Sequence, residues 1–212
     1  VGRLDTKETV LERLAALKAY GQCSVVIDLI YGLPGQTMEV WEQDLADLVK
    51  SGVDGADLYQ LNVFDGSDLN RDITSGKVPP AATTSMQGDM FEFGRTYLEA
   101  RAYRRLSAAH WSANNRERSL YNILAKAGVP MFPFGSGAGG NVDGYGMMLH
   151  RALKPYEDMV SRGEKPFMAL MKQSDLQPFV NQVVSQLEQG YLNINTLVAM
   201  DSRLDELNWL YK

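Results

Sequence analysis

Residues 24–37 read SVVIDLIYGLPGQT, an apolar and largely β-branched run that ends abruptly at Gly32, Pro34 and Gly35. Nearly continuous apolarity is typical of a parallel strand that is covered on both faces. Asp28 interrupts the run, and a carboxylate inside such a strand needs a hydrogen-bonding or charged partner. The stretch therefore predicts a buried strand followed by a tight turn. It leaves open whether Asp28 is satisfied within the protein or by a ligand.

Helical patterns lie on both sides of this strand. Residues 5–20 place apolar side chains at helical spacing and stop at Gly21, and Thr37 can cap a second helix that ends at Gly52. The run 56–64 then has the composition of another strand. Helix, strand, helix and strand with short loops predict an α/β fold of β/α units with right-handed crossovers.

The remainder of the chain has a different character. Residues 65–84 are rich in Gly, Ser, Asp and Pro and predict a long loop beyond a strand end, where such folds commonly place function. Two short strands and a hairpin signal at Asp143-Gly144 follow. Beyond them the pattern is helical without a clear strand. We therefore predict two domains, an α/β part over 1–150 and a helical region over 151–212.

Composition narrows the class of protein. The chain has 212 residues, 45% of them hydrophobic, and a net charge of -5, which predicts a globular protein without the basic stripe of a nucleic-acid binder. No stretch approaches the roughly 20 apolar residues that span a bilayer. The single cysteine, Cys23, is compatible with a reducing cytoplasm. Since the chain starts at Val1 without an initiator Met, we expect a piece of a longer cytoplasmic protein; its oligomeric state stays open.

Polar residues near the strand ends allow two interpretations each. Gln60 and Asn62 alternate along the second predicted strand, so both amides should lie on one face, either in a ligand cavity or as a mutually satisfied pair. The amides of residues 32–37 could bind an anion, although an ordinary strand-to-helix turn is the simpler interpretation. Arg3 could clamp a carboxylate at the strand tops, or lie on the surface.

Residues 134–140, FGSGAGG, contain a G-x-G-x-x-G pattern, but no helix follows it, which excludes a dinucleotide-binding fold. These glycines could instead bring bare backbone close to a flat ligand, or form a bulged strand. His110 and His150 lack the spacing of a metal site, so we predict no metal ligand and no catalytic acid or base. His110 and Tyr31 are candidates for lining a pocket, with simple packing as the alternative.

Taken together, three motifs resemble one family. DLIYGLPGQT (28–37), LYQLNV (58–63) and FGSGAGG (134–140), in this order after Arg3, resemble the second half of a HemN-type radical S-adenosylmethionine (SAM) enzyme. The group includes oxygen-independent coproporphyrinogen III oxidases, heme chaperones and heme-utilisation enzymes of the HutW/ChuW kind. The resemblance covers about 1–150. It implies the C-terminal part of a partial (β/α) barrel of the TIM type, followed by a HemN-like helical C-terminal region.

The resemblance also implies a set of SAM-binding residues. Arg3 resembles the family arginine near the methionine portion of SAM, and Asp28 resembles the strand acid that contacts the cofactor. Asn62 falls where a residue after the second strand approaches SAM, and Ala138 or Gly139 where the glycine-rich strand does so. Tyr31, Gln60 and His110 stay outside this set as candidates for lining a pocket. Arg3, Asp28 and Asn62 would position the cofactor, and no residue is expected to act as a catalytic acid or base.

The chain departs from the family in its cysteines. The family holds a [4Fe-4S] cluster through a CxxxCxxC motif, and a lone Cys23 cannot supply three thiolates. We therefore expect the 212-residue chain alone not to cleave SAM, with the cluster held only in the full-length parent.

Two stretches, LYQLNVFDGSDL and HWSANNRERSLYN, resemble the heme-utilisation enzymes most. That resemblance implies a porphyrin or heme substrate, an electron donor such as a flavodoxin-type protein, methyl transfer from SAM and anaerobic opening of the heme ring with release of iron. The alternatives are oxidative decarboxylation of coproporphyrinogen III and a non-catalytic heme chaperone.

Overall fold

A computed structural model describes residues 5–201. The chain divides into two compact units, one ending at Arg118 and the other beginning at Ser119. The predicted boundary at residue 150 concerns the domains of the family and stays a prediction. The compact units divide earlier because strands from both sides of residue 150 pair in one sheet.

The first unit contains four helices and four strands among its described residues. In chain order these are α1 (Lys7–Tyr20), β1 (Val26–Tyr31), α2 (Met38–Ser51), β2 (Gly55–Gln60), α3 (Asp68–Thr74), α4 (Thr84–Glu99), β3 (Arg104–Arg105) and β4 (His110–Ser112). The segment 65–84, which was predicted to be one long loop, thus contains the short helix α3.

The sheet of the first unit has the order β1-β2-β4-β3. Strands β1 and β2 are parallel and are joined through α2, which confirms the predicted β/α unit. Strand β4 runs antiparallel to β2, with Asp57 opposite His110, and β3 pairs antiparallel with β4. This register decides which side chains become neighbours on each face of the sheet.

The ends of α2 follow the local sequence signals. The Thr37 hydroxyl accepts a hydrogen bond from the backbone N–H of Val40 at 3.3 Å, and Gly52 ends the helix in the left-handed region. Gly21 ends α1 in the same way. These caps fix the short connections that bring β1 and β2 side by side.

The core of the first unit lies between one face of the sheet and the helices. Trp41 of α2 is fully buried, and its indole N–H donates to the carbonyl oxygen of Met90 in α4 at 2.8 Å. Gly94 of α4 allows close packing, because a Cβ there would lie 3.2 Å from the Trp41 ring and 3.3 Å from Leu58. The residues of the hydrophobic cluster that are most deeply buried are Trp41, Leu45, Leu48, Val53, Ala56, Met90, Leu98 and Trp111.

The second unit contains an antiparallel sheet of order β5-β6-β7 and four helices among its described residues. Its elements are α5 (Leu120–Lys126), β5 (Gly139–Val142), β6 (Tyr145–Leu149), α6 (Leu153–Ser161), β7 (Phe167–Lys172), α7 (Gln177–Glu188) and α8 (Ile194–Met200). Asp143 and Gly144 both have positive φ between β5 and β6, which confirms the predicted hairpin.

Strand β7 was not expected, because the sequence predicts a helical region without strands over 151–212. Its sequence, FMALMK, is rich in residues that also favour helices, so local propensity does not reveal it. Pairing with β6, from Phe167 opposite Leu149 to Lys172 opposite Tyr145, holds it extended. Tertiary pairing has overridden propensity here.

None of the helices within residues 5–201 is both long and apolar enough to cross a membrane.

Candidate functional site

The two faces of the first sheet have different surroundings. Ile27, Leu29 and Tyr31 of β1 pack toward the hydrophobic core. Asp28 and Ile30 point to the other face and are exposed. Asp28 was expected inside a strand covered on both faces, and this expectation is wrong for the described chain, because α2 and α4 cover only one face. We call the other side, with Asp28, Ile30, Asp57, Tyr59 and His110, the open face.

Asp28 lies on the open face without a protein partner. Within residues 5–201 its carboxylate makes no hydrogen bond and no ion pair. Arg3, one predicted neighbour of this carboxylate, lies outside the described residues. Both oxygens of Asp28 therefore remain available to hydroxyl or ammonium donors of a ligand as far as the described chain is concerned.

Tyr59 neighbours two carboxylates on the open face. It is the lateral partner of Ile30 on β1 and is 44% exposed. Partial burial raises the pKa of its phenol, and the charges of Asp57 and Asp28 raise it further. The phenol accordingly keeps its proton at neutral pH and can act as a hydrogen-bond donor at this face.

His110 is held from both sides by acidic residues. Its Nδ1 lies 2.9 Å from Oδ1 of Asp57, and its Nε2 lies 3.2 Å from Oε1 of Glu117. The hydrogen bond to Asp57 raises the pKa of His110, burial opposes this, and the charges of both carboxylates add to the increase. With only 4% of its surface exposed, His110 does not line an accessible pocket. It is a buried imidazole that lies between two acids.

The His110 ion pair should make stability depend on pH. Because the pKa of His110 is raised in the folded state, its contribution is complete below the unfolded value of about 6.5 and is lost as pH rises through the folded pKa. We expect the thermal midpoint of the wild-type chain to fall between pH 6 and pH 9 relative to that of Asp57→Val/His110→Leu. Calorimetry of both proteins over this range measures the difference, and parallel curves would contradict the ion pair.

Two of the pocket candidates contact the core side of the sheet. The ring of Tyr31 packs against Trp41 with 5.6 Å between the centroids, so it fills the core. The side-chain amide of Gln60 donates to Oε1 of Gln87 in α4 at 2.7 Å, so its partner is Gln87 and not Asn62. Asn62 lies beyond the end of β2 and is exposed. Gln60 and Asn62 therefore do not share one strand face.

The GLPGQT segment forms an ordinary turn. The Oε1 atom of Gln36 accepts the backbone N–H groups of Gly32 at 2.8 Å and Leu33 at 3.2 Å, so these amides are not free for an anion. The N–H of Gln36 donates to the carbonyl of Leu33 at 3.0 Å across Pro34 and Gly35, whose φ of 75° suits a type II turn. Gly32 is also required, because a Cβ there would lie 2.7 Å from the Gln87 amide nitrogen.

Ala138 and Gly139 belong to the second unit. Ala138 is partly buried, and its carbonyl accepts the N–H of Leu149 at 2.9 Å. Gly139 is exposed, and a Cβ added there would have its nearest neighbour 3.8 Å away. Gly140 differs, because its Cβ would lie 2.7 Å from Pro133. Packing against the segment 131–133 therefore explains Gly140, whereas the exposed backbone of Gly139 is compatible with contact to a ligand.

The predicted SAM residues of the described chain are divided between the two units. Asp28 and Asn62 belong to the first unit, and Ala138 and Gly139 belong to the second. Asp57 was not among the predicted site residues, although the signal that singles out Asp28, an acid within an apolar strand, applies to it equally. Asp57 is 8% exposed and is the residue on β2 that lies beside Asp28.

The described residues fit SAM but do not fit an iron–sulfur cluster. The unpaired carboxylate of Asp28 in the middle of β1 can accept hydrogen bonds from SAM. The exposed amide of Asn62 can accept and donate them beyond the carboxyl end of β2, where α/β folds bind ligands. An iron–sulfur cluster does not fit. Cys23 is exposed and is the sole cysteine, and the described part of the chain contains no group of three side chains that could hold a metal ion.

Comparison with known proteins identifies the family. The chain is 34% identical over 175 residues to anaerobilin synthase of Escherichia coli O157:H7, a match that covers 82% of this chain and 39% of that protein. The chain belongs to the HemN-like radical SAM family. It is also 26% identical over 210 residues to the heme chaperone HemW of Lactococcus lactis, which covers 90% of this chain and 54% of HemW.

The fold comparison agrees with this HemN-like assignment. The structure of coproporphyrinogen III oxidase (HemN) from Escherichia coli, a radical SAM enzyme, superposes with a TM-score of 0.76 at 17% identity, covering 100% of this chain and 50% of HemN. The HemN-like fold class predicted from the sequence is thereby confirmed. No model of a known protein family matches the chain. The chain spans about half or less of the length of these relatives.

HemN-like radical SAM enzymes use SAM and a [4Fe-4S] cluster. The open face of the first unit supplies hydrogen-bond donors and acceptors suited to SAM.

Proposed function

We propose that the chain is part of a radical SAM enzyme of heme utilisation, which transfers a methyl group from SAM and opens the heme ring anaerobically with release of iron. The observation that carries this proposal is the 34% identity to anaerobilin synthase over 82% of the chain. The unpaired Asp28 carboxylate on the open face supports a ligand site in the first unit. Heme or a related porphyrin is the proposed substrate.

Within this proposal the chain's residues position SAM. Asp28 would accept hydrogen bonds from the cofactor, and Asn62 would contact it beyond β2. Arg3 would bind its carboxylate. Bound SAM, when reduced in the full-length protein, supplies a 5'-deoxyadenosyl radical. The cluster would be held by cysteines outside the 212 residues, and a flavodoxin-type protein would donate electrons in the cytoplasm.

The test compares two tetrapyrroles. The full-length protein, reconstituted anaerobically with iron and sulfide, is incubated with SAM, a reductant and either heme or coproporphyrinogen III. We expect loss of the heme Soret band, release of iron, and formation of 5'-deoxyadenosine in proportion to the heme consumed. Consumption of coproporphyrinogen III alone would overturn the proposal in favour of oxidative decarboxylation.

A second candidate function is that of a heme chaperone, favoured by the similarity to HemW over 90% of the chain. A chaperone would bind heme and transfer it intact to a recipient protein. The same incubation separates the two functions, because a chaperone leaves heme and SAM unconsumed while the recipient acquires the Soret band.

A further inference from the structure

Two carboxylates lie side by side on the open face. Asp28 and Asp57 are lateral partners on the parallel strands β1 and β2, and neighbouring strands are about 4.8 Å apart. Without another partner, the Asp57 carboxylate would compete with the neighbouring Asp28 carboxylate for the hydrogen-bond donors of a ligand.

His110 occupies the Asp57 carboxylate in the structure. It lies 2.9 Å from Oδ1 of Asp57, and it is the only described side chain that hydrogen-bonds to the Asp57 carboxylate. This contact provides a partner for a carboxylate that is only 8% exposed. It holds Asp57 on the side away from Asp28, because β4 and β1 lie on opposite sides of β2.

The imidazole is itself fixed in place. Glu117 lies 3.2 Å from its second nitrogen, so both ring nitrogens have an acidic neighbour. Gly55 makes room for this arrangement, since a Cβ there would lie 2.7 Å from the Trp111 carbonyl and 3.1 Å from Cγ of Glu117. This arrangement is thus supported by four residues outside the predicted SAM set, namely Gly55, Asp57, His110 and Glu117.

We propose that His110 is a positioning residue of the SAM site, which binds Asp57 so that Asp28 remains the carboxylate available to the cofactor. This inference rests on the proposed role of Asp28. His110 acts through Asp57 and does not touch the ligand, in agreement with its burial.

Equilibrium dialysis of SAM against the full-length protein containing its cluster tests the inference without turnover. His110→Leu leaves a buried carboxylate beside Asp28, and we expect it to weaken SAM binding about 10-fold, which corresponds to about 1.4 kcal/mol. Asp57→Val/His110→Leu removes the competing carboxylate together with its partner, and should restore the affinity to within about 3-fold of wild type. His150→Leu, in the second unit, is the matched control and should bind SAM normally.

The restoration separates positioning from other roles. A direct contact between His110 and SAM predicts that the double variant stays as weak as the single one, and a purely structural role predicts no difference among folded variants; either result overturns the inference. If His110→Leu does not fold, NMR titration of the wild-type imidazoles decides. His110 should titrate above the ordinary value of about 6.5, and a lower value would overturn the inference.

The two proposals fail differently. Unchanged SAM binding by Asp28→Asn removes the role of Asp28 and the inference with it. Weak binding by Asp28→Asn, combined with normal binding by His110→Leu, removes only the positioning role.

Discussion

Asp28→Asn should weaken SAM binding by the full-length protein about 10- to 100-fold. A hydrogen bond to a charged group contributes roughly 1.5–3 kcal/mol, and each 1.4 kcal/mol is about a tenfold change in affinity. Because the wild-type carboxylate is exposed and unpaired within the described chain, the amide should leave the fold intact. Equilibrium dialysis with labelled SAM measures the affinity, and the thermal midpoint should stay unchanged.

The matched control for this prediction is Asp89→Asn. Asp89 is also an exposed acid, but it lies on α4, away from the open face. The Asp89→Asn variant should bind SAM with the wild-type affinity. Equal affinities of the two variants would show that the loss of charge at Asp28 has no specific effect, and a lowered thermal midpoint for Asp28→Asn would assign it a structural role instead.

Trp41→Ala should destabilise the first unit by about 3–5 kcal/mol, the usual cost of truncating a fully buried large aromatic residue. The change removes the ring that packs against Tyr31 and leaves the Met90 carbonyl without its indole donor. Gly94 carries no side chain that could fill the cavity. Urea denaturation of the chain, followed by far-UV circular dichroism, measures the free energy of unfolding.

Trp41→Phe is the companion variant. It keeps an aromatic ring beside Tyr31 but loses the N–H group, so we expect a smaller cost of about 1–3 kcal/mol from the unsatisfied carbonyl and the lost volume. Equal costs for the two variants would mean that the hydrogen bond, and not the packing, dominates. A cost below about 1 kcal/mol for Trp41→Ala would place Trp41 outside the core.

The β1-α2-β2 arrangement could be predicted from sequence because its signals are local. The hydroxyl of Thr37, the left-handed glycine at 52 and the turn at 34–35 each act within a few residues of their own position. The helix itself could be predicted from the helical periodicity of its apolar residues. The assignment to a HemN-like fold, in contrast, depended on the resemblance of three motifs and not on periodicity.

The site could be predicted only in part, because its geometry depends on residues distant in sequence. His110 and Asp57 are 53 positions apart, and their contact follows from the pairing of β4 with β2. The exposure of Asp28 likewise depends on which face the helices cover. An apolar strand sequence alone does not distinguish a face packed against helices from one left open. Gln60 was ambiguous for the same reason, since its partner Gln87 lies on α4.

The turn at residues 32–37 has a consequence for how relatives are recognised. Its glycines, its glutamine and its threonine are all engaged in backbone geometry, whereas the acid that faces the proposed ligand stands four positions earlier. A match to GLPGQT alone consequently reports shared architecture and not cofactor binding. The roles proposed for Asp28, Asp57 and His110 place the sequence test for cofactor binding at positions 28, 57 and 110 instead.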